Sequence, residues 1–234
     1  MKKFTPFDFL TILLGICLLG ACSKDDISEP SGGITDSVDL GLSVNWASCN
    51  LGAEEPMDCG SYYQWAGTEN VTSRDYNLNW SYCPYHTGTS NSSGFTKYNS
   101  NPSYGTVDNK MVLDPDDDVA YKELGGKWRM PTDEEWAELV DNCTWTWKRQ
   151  DGMYGYEVVS KKPGFTDKSI FLPAAGYRQH YSFSGSGKGG SYWSSSLGTD
   201  TPNHASSLFF IKGKVKKSNE YRYYGFSVRP VEQK

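Results

Sequence analysis

Apolar and polar residues alternate through Val38-Asp-Leu-Gly-Leu-Ser-Val-Asn-Trp-Ala47, the period-two pattern of a half-buried strand or hairpin, with Gly41 at the bend. Tyr62-Tyr-Gln-Trp-Ala66 predicts a second short aromatic strand or core segment. The period then lengthens. A first helix is expected over about Asp117–Leu124, with Asp116, Asp117 and Asp118 at its positive end and Gly125-Gly126 stopping it. A second begins at Pro131-Thr132, where Thr132 and Glu135 have capping-box spacing and Trp136, Leu139 and Val140 mark one buried face. From Thr144 onward the pattern returns to strands. These are Thr144–Lys148, Gly155–Ser160, Ser169–Pro173, Ser191–Ser196, Ala205–Ile211 and Gly225–Val231, with turns at Asp151-Gly152 and Pro163-Gly164. Two helices early and strands late define an α+β domain.

Two stretches carry no such period. Residues 68–112 are rich in Asn, Ser, Gly, Thr and Tyr, and read as long ordered loops anchored by Tyr76, Trp80, Tyr82, Tyr85, Phe95 and Tyr98. Loops of that length often carry function. The other stretch is the beginning of the chain. Lys2 and Lys3 precede an apolar run, Phe9–Ala21, that is shorter than the roughly 20 residues a spanning helix needs. It ends in Leu19-Gly-Ala-Cys22, small residues before a cleavage point. That phrase resembles the bacterial lipobox, which implies a signal peptide over 1–21 and lipid on Cys22; a retained anchor is the alternative. Ser23-Lys-Asp-Asp26 is similar to the acidic export signal of surface lipoproteins in Bacteroides-type bacteria, or is an ordinary solvated linker. Residues 22–36 then form a flexible tether, and 37–232 form one domain.

Composition narrows the partners. A formal net charge of −5 argues against nucleic acid, whose phosphates demand clustered Lys and Arg. The one basic run, Lys212–Lys217, reads as a solvated hairpin. In an exported chain Cys49, Cys59, Cys83 and Cys143 are candidates for disulfides, with a lean to Cys49 with Cys143 and the other pairings open. No Cys-x-x-Cys spacing suggests zinc.

Five phrases, taken in order, carry a resemblance. They are Asp39-Leu-Gly-Leu-Ser-Val-Asn-Trp-Ala-Ser-Cys49, Gly125-Gly-Lys-Trp-Arg-Met-Pro-Thr-Asp-Glu-Glu-Trp136, Phe171-Leu-Pro-Ala-Ala-Gly-Tyr-Arg178, Tyr192-Trp-Ser-Ser-Ser196 and Gly225-Phe-Ser-Val-Arg-Pro230. Over residues 38–231 the chain resembles the Fibrobacter succinogenes major paralogous domain of surface lipoproteins. That likeness implies a C-type-lectin-like fold, related to formylglycine-generating enzymes and to the variable binding proteins of diversity-generating retroelements. It implies paired chain ends, Val38–Val44 with Phe226–Val231. It also implies a C-terminal face whose side chains meet ligand.

On that face the candidate ligand-binding residues are Trp193, His204, Ser207, Phe209, Tyr221, Arg222 and Tyr223, with Ala205, Leu208, Phe210 and Val215 as core. Tyr and Arg dominate binding energy wherever an interface buries them. The alternative is an ordinary Tyr-rich surface.

Catalytic signatures are weak by comparison. The formylglycine generators carry reactive cysteines late in the domain, and no Cys follows Cys143 here. His86, His180 and His204 lie among loop residues without a Gly-x-Ser-x-Gly elbow. Asp114, Asp116, Asp117 and Asp118 offer glycosidase carboxylates or calcium ligands, although their place before a helix favours capping. Gly185-Ser-Gly-Lys188 lacks the Ser or Thr of a phosphate loop. The expectation is therefore a non-enzymatic outer-membrane lipoprotein, without cofactor or metal, that binds a glycan or protein. The rivals are an enzyme using Asp114–Asp118 and a structural or assembly role.

Overall fold

The computed structural model describes residues 36–74, 76–90 and 93–234. The expected signal segment, Cys22 and all of the tether but Asp36 lie outside the described residues. The rest is α+β, with two α-helices and mostly antiparallel sheets.

The chain ends meet. Strand β1 (Ser37–Val38) turns through Gly41, at φ 71°, into β2 (Val44–Ala47), and the two pair Val38 with Trp46. A positive φ suits glycine, which has no Cβ to clash. On its other side β2 pairs with the last strand, β14 (Val231–Gln233), Trp46 opposite Val231. Strand β4 (Trp128–Arg129) completes this sheet. The pairing of ends is thus present, though it uses residues 44–47 and 231–233 rather than the longer segments expected.

A five-stranded sheet forms the middle. Its order is β12 (Lys214–Tyr221), β11 (His204–Ile211), β10 (Gly189–Leu197), β13 (Phe226–Ser227) and β3 (Tyr62–Tyr63). Every residue of β10 is buried, serines included, because it lies second from neither edge and is covered on both faces. Gly190 has no room for a side chain: a Cβ there would fall 2.6 Å from the Phe210 ring. A separate meander, β5 (Cys143–Gln150), β6 (Met153–Ser160) and β7 (Ser169–Pro173), turns at Asp151-Gly152 as the sequence predicts. A small hairpin, β8 (Tyr177–Gln179) with β9 (Ser182–Ser184), was not foreseen.

Both helices are present. Helix α1 (Val119–Leu124) is capped by Asp118, whose carboxylate accepts from the Ala120 and Tyr121 N–H groups; Asp114–Asp117 lie before it, partly in a single 3-10 turn. Helix α2 (Asp133–Asn142) has the reciprocal capping box of Thr132 and Glu135, and Glu135 also holds Arg129 in a two-point ion pair. Trp136 and Leu139 are fully buried and Val140 packs beside them. The Trp136 ring meets Trp46 at 4.7 Å, joining α2 to the sheet of chain ends.

Cys49, Cys59, Cys83 and Cys143 are all free thiols, so the expected disulfides, Cys49 with Cys143 included, are not formed. Cys143 sits in the cluster around Trp136, whereas Cys83 sits in another around Phe95 and Tyr223. Burial pushes the Cys83 thiol up to about 12 and Cys143 up to about 11, so both stay protonated and unreactive.

Candidate functional site

The C-terminal stretch does not display the side chains expected of it. Trp193 is fully buried, stacked on Phe226 at 4.1 Å, with its indole N–H donating to the Tyr63 carbonyl. Ser207 is buried and donates to Ser218 O, Tyr223 is buried against Trp80, and Arg222 is wholly inside. These four are corrected from surface to core. Trp193 and Ser207 are inside because β10 and β11 are interior strands, whereas Arg222 and Tyr223, just past edge strand β12, are covered by the loop carbonyls of Lys97, Tyr98 and Pro202 and by Trp80. His204, Phe209 and Tyr221 stay half-exposed. His204 stacks flat on Tyr221 at 4.6 Å, and burial lowers its pKa against the pull of Glu220 and Asp200, favouring the neutral ring.

Three arginines are buried, and two of them, Arg178 and Arg222, explain how the long loops are held. None has a carboxylate partner among the hydrogen bonds and ion pairs of the described residues; each gathers oxygens instead. Arg178 donates to the carbonyls of Val71, Ser73, Tyr76 and His180. Arg222 donates to those of Lys97, Tyr98 and Pro202, and its guanidinium lies 4.7 Å from the Phe95 ring and 4.8 Å from that of Trp65. Arg229 binds the carbonyls of Ala47, Ser48 and Phe171 and the Asn50 side chain. Burial draws Arg222 and Arg229 down to about 10, still far enough above neutrality to keep both charged. A planar fork of donors suits this work, because it reaches several carbonyls at once.

The loops so held expose a patch of tyrosines. The 3-10 turn Trp80–Tyr82 is capped by Asn79, which accepts from the Ser81 N–H. Trp80 turns inward against Tyr221, Tyr223 and Phe95, and this sends Tyr82 outward at 66% exposure. Tyr76, Tyr85 and Tyr181 are exposed beside it, Tyr181 at the tip of the β8–β9 hairpin. Two depressions adjoin here, about 440 and 310 Å3, and share Gln64, Glu69 and Tyr82. The larger also includes Tyr85, Asp116 and Asp117; the smaller includes Tyr76, Asn77 and Tyr181.

Ala66 and Tyr85, both on the larger depression, hold φ of 62° and 56°, a left-handed conformation that costs a non-glycine residue about 1 kcal/mol or more. Packing has to offset that. The Tyr85 hydroxyl donates to Asp117 at 2.5 Å, and Gln64 donates to the Tyr223 carbonyl at 3.1 Å.

The acidic cluster is already committed. Asp118 caps α1 and also accepts from the Met130 N–H; burial raises its pKa despite those bonds. Asp117 accepts from Tyr85, Tyr98 and Lys97. Burial would raise it, but the bonds from Lys97 and the two phenols prevail and hold it below the usual carboxylate value. Asp114 pairs with Lys110 and Lys97. Only Asp116 is exposed, on the rim of the larger depression. Among the described residues no three of His, Cys, Asp and Glu cluster closely enough to hold a metal ion.

A larger trough, about 590 Å3, runs between the start of α2 and strand β12. Several of its polar groups are bound to one another. Asp133 accepts from Ser206 and Lys217, and Asn219 donates to Asp200. No aromatic ring lines it. The tyrosine patch is therefore the better candidate. In the sequence Tyr76, Tyr82 and Tyr85 read as loop anchors, and Tyr181 and Gln64 carry no separate signal.

Comparison with protein families, curated proteins and solved structures finds no match to this chain. Among the described residues no helix is long and apolar enough to cross a membrane.

Proposed function

We propose that this chain is a non-enzymatic surface lipoprotein, carried on the outer membrane by lipid at Cys22, whose domain holds a glycan in the tyrosine-walled groove. We read its frame as C-type-lectin-like, on the strength of the paired ends, the two early helices and the long ordered loops. The carrying observation is the exposure of Tyr76, Tyr82, Tyr85 and Tyr181 around Gln64 and Glu69. The C–H face of a sugar ring is apolar and packs flat on an aromatic ring, while its hydroxyls need a few fixed polar groups. Rings on pre-set loops lose little entropy on binding. The face first expected, residues 193–224, contributes support from below through Tyr221, Arg222 and Tyr223 rather than contact.

The catalytic alternative is weakened because Asp114, Asp117 and Asp118 are spent on ion pairs and caps. A glycan array probed with the purified protein tests the proposal. Tyr82→Ala and Tyr181→Ala should abolish capture while moving thermal unfolding little, since exposed substitutions usually fall within about 0.5 kcal/mol. Capture unchanged in both variants, or capture only of proteins, defeats it. For placement, labelled fatty acid should enter the wild-type chain and not Cys22→Ala.

A further inference from the structure

The groove also specifies the kind of glycan, an inference that rests on the proposed function above. Tyr82 is the most exposed large apolar or aromatic side chain among the described residues, and it stands where the two depressions meet. A single sugar would use one side of it. A chain crossing the patch would lay one unit over Tyr85 and Thr68 and the next over Tyr76 and Tyr181, with Gln64 and Glu69 reachable from both.

Among the described residues the charged side chains that line the two depressions are all acidic. Glu69 and Asp116 are exposed there, and Asp117 lies behind Tyr85. Among the described residues neither depression is lined by a Lys or Arg. Lys97, the cation closest in connection, is already bound by both Asp114 and Asp117. Arg178 is buried under carbonyl oxygens, and Arg74 lies over the Phe183 ring. A uronate or sulfate entering here would lose its water beside carboxylates and gain no cation in return. The two shared polar groups, an amide and a carboxylate, instead suit hydroxyl donors.

We propose that the groove selects a linear glycan without negative charge, read as at least two consecutive units on either side of Tyr82. The test uses the purified full-length protein in detergent and size-matched oligosaccharides. One set is neutral (cello-, manno- and xylo-oligosaccharides of two to six units), and the other is acidic (oligogalacturonates of the same lengths). Affinities are measured by calorimetry at low and high salt.

At least one neutral series should bind, with affinity rising about tenfold or more from two units to four and then levelling. Oligogalacturonates should bind at least about tenfold more weakly, and added salt or the double variant E69Q/D116N should narrow that gap as screening or charge removal predicts. Preferential binding of oligogalacturonates, still lost in Tyr82→Ala, overturns the charge selection while leaving a glycan site. Equal affinity for two and for four units overturns the two-unit path. If no probe binds, or binding ignores Tyr82→Ala, both the inference and the glycan site fall.

Discussion

The surroundings of Trp136 and the loops of residues 64–112 solve the same problem in opposite ways. Around Trp136 the backbone groups are satisfied by ladders and helix turns, and alternate side chains interlock as Trp46, Leu139, Tyr156, Leu172 and Phe210 do. In 64–112 regular structure shrinks to single turns. There the backbone finds side-chain partners: Asn79 for Ser81, Asn101 for Ser103, Asp108 for Tyr98 and Asn99, and arginines for the carbonyls. The lesson is that an irregular surface can be fixed without strands when polar side chains replace the ladder.

Four perturbations separate the two strategies. Trp136→Ala should cost the most, about 4 kcal/mol, and should lower the whole unfolding transition in urea, because it empties a packed interior. Asp118→Ala should cost about 2 kcal/mol by the same measurement, since it removes a helix cap and the partner of the Met130 amide together. Arg178→Met should cost less, about 1 kcal/mol, and act locally, because water can reach some of the freed carbonyls. Hydrogen exchange should quicken at Leu78 and His180 and stay unchanged across β6; quickening everywhere or nowhere would deny the arginine its role.

Acid should produce the smallest and most localised effect. Asp108 would be raised by burial, but the N–H groups of Asn99, Tyr98 and Lys110 hold it low. Hydrogen bonds from Lys110 and Lys97 lower Asp114, and Asp117 is also held low. Groups depressed on folding add stability above their unfolded pKa, and that stability is lost as pH falls through the folded value. Below about pH 4 amides of residues 97–117 should therefore lose protection before those of β5 and β6. Lys97→Met should shift that loss to higher pH.

Much of the first region was legible beforehand. The Thr132–Glu135 box, the Trp136–Leu139 stripe and the Asp151-Gly152 turn each follow from local periodicity or turn chemistry. The full burial of β10 was not legible, because Gly189–Leu197 reads as polar and its serines are inside only by virtue of the sheet's order. The expected exposure of Arg222 and Tyr223 fails because residue types typical of interfaces serve here as internal braces. In 64–112 nothing in the pattern separates the inward Trp80, Phe95 and Tyr98 from the outward Tyr76 and Tyr82, since irregular backbone has no period to read.

The arrangement of chain ends carries a mechanical consequence. Tension applied ahead of residue 36 reaches the two-residue β1 first. Its neighbour β2 remains zipped to β14, by a register that begins at Trp46 and Val231. Peeling β1 would free only a few residues and leave the β2–β14 pairing to carry the load, so the edge hairpin can yield first while the core stays folded.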